Sequence, residues 1–354
     1  YFESVLESDM KTYSSDLQAM TYNNLGMIYT ERIKGLREKN LEKSVVYFKK
    51  TLLVYTKSRF PQKWARTYNN LGTVYLQRIA GSQEKNIEKA IEYFKRALSV
   101  QSKDKFPEQW AMVCCNLGIA FSKRIKGYRK RNLEIAIDYC KKALEIRDKN
   151  AFPEKWAATN QYLGSFYRER ILGTKEENTQ LAIAHFKNAL EICQRELFPQ
   201  KFQAINAFLG DVFFEQQDWL MASNCYQESI EALELLRSQA FDEERRQSII
   251  ADSINIYHNL VKSNIETFNY QRALVNSERS RSRRLVDLIS SNDLYTQEVL
   301  SPKINNLLSK YYELEQELYQ LRQEDRETSD MRNCVLRDYS DYQFQGVILS
   351  IDYL

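Results

Sequence analysis

The chain has 354 residues, and its 51 basic and 47 acidic residues leave a formal net charge of only +4. Ten glycines and five prolines are too few to form the turns of an all-β protein, so the composition favours helices. The balanced charge does not by itself indicate nucleic-acid or membrane binding, and no apolar run approaches the length of a membrane span.

From residue 15 onwards the sequence repeats with a fixed period of 46 residues. A Leu-Gly pair marks this period at Leu25-Gly26, Leu71-Gly72, Leu117-Gly118, Leu163-Gly164 and Leu209-Gly210. Five further features keep the same frame, and in the second repeat they are Phe60-Pro61, Trp64, Arg78-Ile79, Gly81 and Asn86. Such a period is typical of helical solenoids, in which each repeat packs only against its neighbours.

Each repeat is predicted to contain two helices. Pro61 suits the first turn of the first helix, where a missing N–H is no loss. Arg78 falls in the predicted last turn, where a cation favours the negative end of the helix dipole. Gly81 is expected to end that helix, and Asn86 is expected to cap the start of the second.

A glycine inside each first helix needs a physical reason, because it costs about 1 kcal/mol relative to alanine. We expect Gly72 to allow close approach of the second helix at the small residues Ala90 and Ala97.

The two ends of the chain differ from the array. Shifting the frame by 46 residues places Tyr1-Phe2 on Tyr47-Phe48, so residues 1–14 are predicted to be the second helix of a truncated upstream repeat. Residues 15–290 are predicted to form about six hairpins, the last two shorter or atypical. Residues 291–354 are predicted to hold a helical hairpin, at about 301–327, and the start of a possible further domain with a strand at Gly346–Ile351.

The repeat resembles the tetratricopeptide repeat. In the second unit the family's signature positions are occupied by Tyr68, Leu71, Gly72, Tyr75, Ala90, Phe94 and Ala97. The unit departs from the family's usual 34 residues by extending the turn between its helices and the connection to the next unit. The resemblance implies an all-α, right-handed superhelical solenoid of antiparallel helix hairpins that acts as a protein-interaction scaffold.

The order of the parts also resembles cyanobacterial-type proteins that place tetratricopeptide repeats before a CHAT domain, a caspase-like protease module. Besides the repeats, this resemblance rests on the predicted helix Glu278–Ile289 and the predicted hairpin after it. It implies that the catalytic His and Cys lie beyond Leu354, so that this chain is not itself an enzyme. It also implies that the array regulates a protease domain, which could be an intramolecular partner.

In this family the first helices line the concave groove of the superhelix, so the expected partner is a protein or peptide bound there. Amide and guanidinium side chains on these helices can bind a peptide backbone or carboxylates. The predicted groove residues are Asn23, Arg66, Asn69, Gln77, Lys123, Gln161, Arg168 and Glu169.

Other functions find less support in the sequence. A nucleic-acid-binding solenoid remains an alternative because of the basic segments Lys126–Arg131 and Arg279–Arg284, although the other repeats do not continue such a stripe. An enzyme with unrecognised residues is a second alternative, but neither His185 nor His258 pairs with a cysteine in a known pattern. The six cysteines form no C-x-x-C motif, so no metal, cofactor or disulfide is predicted, and reduced cysteines without a signal peptide indicate the cytoplasm.

Overall fold

The computed structural model describes residues 14–238 and 254–291, and these two ranges form twelve helices and no strand. The helices are α1 (Ser15–Glu31), α2 (Arg37–Val54), α3 (Pro61–Gln77), α4 (Gln83–Leu98), α5 (Pro107–Ser122), α6 (Arg129–Leu144), α7 (Pro153–Arg168), α8 (Lys175–Leu190), α9 (Pro199–Glu215), α10 (Trp219–Ser238), α11 (Ile254–Glu266) and α12 (Tyr270–Ser291). Residues 1–13 of the predicted upstream helix, the predicted hairpin at 301–327 and the predicted strand Gly346–Ile351 lie outside the described residues.

The chain divides into two compact units at Asp218 and Trp219. In the first unit, α1 packs on α2, α3 on α4, α5 on α6 and α7 on α8, and each second helix also contacts the first helix of the next repeat. This is an all-α solenoid of helix hairpins, as the 46-residue period predicts. In the second unit, α11 packs against both α10 and α12. The division falls inside the predicted fifth repeat, so its two helices belong to different units.

The first helices of repeats two to five begin at proline, as predicted. Pro61, Pro107, Pro153 and Pro199 each occupy the first turn of α3, α5, α7 and α9. The missing N–H of proline has no intrahelical partner at this position, and its fixed φ already suits a helix. The Phe-Pro pair therefore sets where each repeat starts.

The asparagine of the elongated turn has a different role from the one predicted. The second helix α4 begins at Gln83 with Ser82 as its N-cap, so the prediction that Asn86 caps this helix is wrong. Asn86 is 3% exposed, and its amide donates hydrogen bonds to the carbonyl oxygens of Arg78 and Ala80 at 3.4 and 2.9 Å. Gly81, at φ +81°, provides the left-handed turn that brings these carbonyls round to the amide.

The arginine before this turn binds the preceding repeat. α3 ends at Gln77, so Arg78 is the C-cap residue and does not lie in the last turn as predicted. The Arg78 guanidinium forms two hydrogen bonds with the Glu42 carboxylate, at 2.7 and 3.0 Å. These bonds lower the pKa of Glu42.

The same pair recurs along the array. Arg124 binds Glu88 at 2.6 and 3.0 Å, and Arg170 binds Glu134 at 2.8 and 3.0 Å. The glutamates lie 36 residues before their arginines, in the second helix of the previous repeat. Each arginine therefore joins the elongated turn of its own repeat to the helix of its neighbour, an interaction that the dipole argument did not anticipate.

The glycine of each first helix accommodates an aromatic ring. A Cβ added at Gly72 would lie 2.6 Å from the ring of Phe94, and Gly26 and Gly164 face Phe48 and Phe186 in the same way. The nearest atoms to Gly72 are those of the Phe94 ring, which the prediction did not name, while at Gly118 the carbonyl oxygen of Ala136, the equivalent of Ala90, would lie 3.0 Å from an added Cβ. The close approach itself is present, because Phe94 is fully buried against the helix.

Candidate partner-binding face

One side of the first helices is open to solvent. Each first helix in the first unit contacts the next first helix, from α1 to α9, so these helices lie side by side. Positions spaced by four, three and four residues fall on one side of a helix. On α1, α3, α5 and α7 such positions hold exposed or half-buried residues, here called the first-helix face: Met20, Asn24, Met27, Glu31, Arg66, Asn70, Thr73, Gln77, Met112, Asn116, Ile119, Lys123, Ala158, Tyr162, Ser165 and Glu169.

Four of the predicted groove residues lie outside this face: Asn23 and Asn69, which are buried, and Gln161 and Arg168, which are half-buried. Asn23 is 3% exposed and Asn69 is 4% exposed, so the expectation that they are exposed is wrong. One residue corresponds to a rotation of about 100° on a helix, which turns these side chains towards the neighbouring helices. The Oδ1 atom of Asn69 accepts a hydrogen bond from Asn116 at 2.8 Å, so Asn69 joins α3 to α5.

The first-helix face has its own column of asparagines, one residue after the column of Asn23 and Asn69. Asn24, Asn70 and Asn116 are half-buried and are spaced by 46 residues along α1, α3 and α5. This column was missed because the adjacent Asn23 and Asn69 are also 46 residues apart. Burial separates the two columns, since Asn23 and Asn69 are buried and Asn24 and Asn70 are half-buried.

Two of the three predicted basic residues, Arg66 and Lys123, are exposed. Within the described ranges, the side chains of Arg66 on α3 and of Lys123 after α5 form no hydrogen bond or ion pair. Gln161 is half-buried on α7, one residue before Tyr162 of the first-helix face. Arg66 and Lys123 are therefore cationic groups on the first-helix face that are free to bind an anionic partner.

Gln77 and Glu169 lie on the first-helix face but already have protein contacts. Arg37, at the start of α2, donates a hydrogen bond to the side chain of Gln77. Arg129, at the start of α6, forms an ion pair with Glu169. Both contacts run from the second helix of one repeat to the end of the next first helix, so they hold neighbouring repeats together.

Arg168 is bound by the acidic residues at the end of the first unit. Its guanidinium lies 3.0 Å from a carboxylate oxygen of Asp211 and 2.8 Å from one of Glu215, both on α9. Arg168 is therefore already paired with two carboxylates and is not a free cation for a partner, whereas Arg66 and Lys123 are.

His185 is held as a neutral side chain in α8. Its Nδ1 atom lies 2.8 Å from Oδ1 of Asn160, and its ring stacks on Tyr167 with the centroids 5.4 Å apart. The Asn160 amide donates to the carbonyl oxygen of Trp156, which leaves its Oδ1 as the acceptor for His185. Burial, reinforced by Lys141, lowers the His185 pKa to about 4, which suits a structural imidazole.

The described residues show neither a metal site nor a membrane-spanning helix. Within residues 14–238 and 254–291, no group of three or more His, Cys, Asp or Glu is placed to hold a metal ion. None of the helices in these ranges is both long and apolar enough to cross a membrane.

Comparison with known proteins supports the type of repeat. The Sel1 repeat family matches residues 19–51, 65–99 and 111–146, and each matched segment spans the first and second helix of one hairpin. The matched segments together cover less than a third of the chain. No curated protein matches the sequence.

Three solved structures share the fold at low sequence identity. BtubC (BKLC) from P. vanneervenii is 16% identical, with a TM-score of 0.53 over 70% of this chain and 91% of that one. The apo form of RapI is 15% identical, with a TM-score of 0.52 over 79% and 88% of the two chains. A Rap protein complexed with competence and sporulation factor is 15% identical, with a TM-score of 0.50 over 80% and 79%.

The chain is an all-α repeat protein whose hairpins are similar to Sel1 and tetratricopeptide repeats. The 46-residue hairpins, the Sel1 matches and the shared fold all agree on this point. At these identities the likeness concerns the fold alone.

Proposed function

We propose that this chain is a protein-interaction scaffold that binds an extended peptide segment of a partner along its first-helix face. Helical repeats of this type generally mediate protein–protein interaction, and one structural neighbour is a Rap protein complexed with competence and sporulation factor. The observation that carries the proposal is the column of half-buried asparagines, Asn24, Asn70 and Asn116. An amide offers both a donor and an acceptor to a peptide backbone without demanding one sequence.

The surroundings of this column suggest the character of the partner. Met20 and Met27 on α1 are 45% and 50% exposed, and methionine adapts to varied apolar side chains. Arg66 and Lys123 add unpaired positive charge beside the asparagines. The proposed ligand is therefore a peptide that combines apolar and acidic residues.

The finer part of the proposal concerns regulation. If a CHAT protease module follows the array in the same polypeptide, we propose that partner binding controls that protease, and that the module itself can occupy the face as an intramolecular partner. Solenoids can change pitch when a ligand binds, which would transmit the signal. We place this function in the cytoplasm, where free thiols such as those of Cys114 and Cys115 persist.

The groove can be tested without knowing the natural partner. Peptides would be selected from a random display library on the wild-type chain, and their affinities measured by fluorescence polarisation. We expect the double variant Asn70→Ala/Asn116→Ala and the single variant Arg66→Glu each to weaken binding about tenfold or more, because hydrogen bonds and a charge contact are lost.

Arg131→Glu is the matched control, because Arg131 is an exposed arginine on the second helix α6. It should leave the affinity unchanged. Selected peptides that bind the Asn70→Ala/Asn116→Ala and Arg66→Glu variants as tightly as the wild type would place the interaction elsewhere. A single-stranded oligonucleotide that binds with a steep salt dependence would favour the nucleic-acid alternative.

A further inference from the structure

The elongated turns expose one isoleucine in each of the first four repeats. Ile33, Ile79, Ile125 and Ile171 directly follow the arginine column and are 77%, 57%, 57% and 58% exposed. Single exposed apolar residues are common on protein surfaces, but the same apolar residue in four successive repeats does not arise by chance. An isoleucine that is more than half exposed contributes little packing. The fold therefore does not explain why this column stays apolar.

Two of these turns expose a second apolar side chain at the N-cap of the following helix. In the second and fourth repeats the N-cap is Ser82 or Thr174, whose side chain accepts a hydrogen bond from the backbone of the first helical turn. In the first and third repeats the same column holds Leu36 and Tyr128, which form no such bond and are 65% and 83% exposed. An apolar N-cap leaves an amide of the first turn without a side-chain acceptor. Leu36 and Tyr128 therefore expose apolar surface where a hydroxyl residue would stabilise the helix better.

Successive turns lie next to one another along one edge of the first unit. Arg37 and Arg129 begin second helices, and they reach Gln77 and Glu169 at the end of the next first helix. The exposed apolar residues of the turns thus form a row, here called the turn edge: Ile33, Leu36, Ile79, Ile125, Tyr128 and Ile171. The turn edge is separate from the asparagine column, because the helix from Asn70 to Gln77 is about 10 Å long.

Unpaired positive charge accompanies the turn edge. Lys34 and Lys126 directly follow two of the isoleucines, and Lys175 begins α8. All three lysines are exposed, and within the described ranges their side chains form no hydrogen bond or ion pair. Glutamates lie in the first turn of α2, α4 and α8, but the first turn of α6 has none. The charge is therefore most positive at the turn of the third repeat, and it favours a partner that carries carboxylates there.

The row ends at a cavity of about 270 Å³ beside Ile171. Its walls include Arg168, Arg170, Lys175, Ala182, Val212 and Glu215. The fifth repeat has no elongated turn, because α9 ends at Glu215 and α10 already begins at Trp219. In the earlier repeats the arginine of that turn binds the preceding second helix at the position that α8 fills with Gln180. The cavity, which Thr179 also lines, thus lies where the missing turn would pack, and it can admit an apolar side chain.

We propose that the turn edge is a docking surface for an acidic amphipathic helix of a partner protein. Such a helix offers an apolar stripe flanked by carboxylates, which matches a row of apolar side chains accompanied by lysines. Packed helices lie about 8–10 Å apart, and two turns of a helix rise about 11 Å. Because neighbouring first helices contact each other, a helix with one apolar residue every two turns can place one opposite each isoleucine. Its carboxylates pair with Lys34, Lys126 and Lys175, and a terminal apolar residue enters the cavity beside Ile171.

This proposal goes beyond the proposed function, because a helix on the turn edge leaves the asparagine column free for a peptide. The two surfaces can therefore be tested separately on the same chain. A display library of helical peptides with a fixed apolar heptad stripe and randomised flanking residues would be selected on the full wild-type chain. The affinities of the selected helices would then be measured by fluorescence polarisation.

We expect the selected flanks to be rich in Asp and Glu. The double variant Ile79→Ser/Ile125→Ser and the single variant Lys126→Glu should each weaken binding about tenfold or more, because apolar contacts and a charge pair are lost. Arg66→Glu, on the first-helix face, is the matched control and should leave these affinities unchanged. Circular dichroism would confirm that each variant is folded.

Tyr128→Ser separates a docking role from a structural one. It supplies a hydroxyl N-cap to α6, so it should raise the Tm by about 2–4 °C while it weakens helix binding. A lower Tm in this variant would show that Tyr128 serves the fold and would count against the proposal.

Three other results would overturn the docking surface. The first is a set of selected helices with mainly basic flanks, and the second is unchanged affinity for the Ile79→Ser/Ile125→Ser variant. The third is binding of the wild type to vesicles of phosphatidylcholine and phosphatidylserine when no selected helix binds, since the turn edge would then contact a membrane.

Discussion

His185 shows how one side chain can be committed to a single protonation state. The side-chain oxygen Oδ1 of Asn160 accepts the hydrogen on Nδ1 of His185, and Tyr167 stacks on the imidazole ring. These contacts fit a neutral imidazole. Lys141 adds a positive charge nearby that disfavours a second one. The folded chain thus binds a proton at this residue only near pH 4, because the pKa of His185 lies well below its ordinary value of 6.5.

This pKa shift predicts a pH dependence of stability. Between pH 6.5 and about 4 the unfolded chain binds a proton at His185 that the folded chain does not, so the free energy of unfolding falls as the pH falls. Urea denaturation at pH 7.5 and at pH 5 should show a loss at this site of about 1 kcal/mol, allowing for partial solvent screening. In His185→Gln, which keeps a donor for Asn160, the loss should be smaller by that amount. An equal loss in both proteins would contradict the prediction.

At the residue scale the sequence could identify types of residue more reliably than their orientation. It indicated that asparagines line the first helices, but it selected the buried Asn23 and Asn69 instead of the half-buried Asn24 and Asn70. A shift of one residue rotates a helical side chain by about 100°, and the sequence contains no direct record of which side the next repeat covers.

The elongated turn is the element that distinguishes this repeat, and Asn86 is its main internal contact. The buried amide holds two carbonyl oxygens of the turn, and its own Oδ1 accepts from Arg78 at 3.1 Å. The sequence indicated that arginine, glycine and asparagine recur every 46 residues along the chain. It could not show that the arginine bonds to Glu42, because that pair depends on how successive repeats stack.

The Asn86 amide and the Arg78 ion pair should contribute different amounts to the free energy of unfolding. Asn86→Ala leaves buried carbonyl oxygens without donors and should lower the free energy of unfolding by about 1–3 kcal/mol. Arg78→Ala removes a partly exposed ion pair and should cost less than about 1 kcal/mol. Urea denaturation measures both, with the exposed Gln83→Ala as a control that should be nearly neutral. A larger effect for Arg78→Ala than for Asn86→Ala would show that the contact between repeats dominates.

At the scale of the molecule, the period alone was enough to predict the all-α solenoid, because six columns of sequence keep one frame. The alternation of Phe-Pro starts and glycine turns also gave the helix order of the first unit. The boundary at Asp218 was beyond reach, since it depends on contacts in space. The sequence contains no comparable periodic signal for the identity of this chain's partner or for its regulation.

In a solenoid of this kind a destabilising substitution should increase local unfolding mainly in its own repeat and the adjacent ones. Leu133 is fully buried on α6, and Leu133→Ala should cost about 2–5 kcal/mol by removing packed methyl groups. Since repeats contact mainly their neighbours, hydrogen exchange should accelerate most in α5 to α7 and least in α1 and α9. Equal acceleration throughout the first unit would indicate one cooperative block instead of separable repeats.

The pairing of Arg78, Arg124 and Arg170 with glutamates of the preceding repeat has a consequence for how such a gene can change. The position of the next arginine, 46 residues after Arg170, holds Gln216. The position of its glutamate partner, 46 residues after Glu134, holds Gln180. Donor and acceptor thus disappear together. Within the first four repeats, recombination that duplicates or deletes one 46-residue cassette would leave every remaining arginine opposite a glutamate. The array can therefore change length during evolution without creating an unpaired charge.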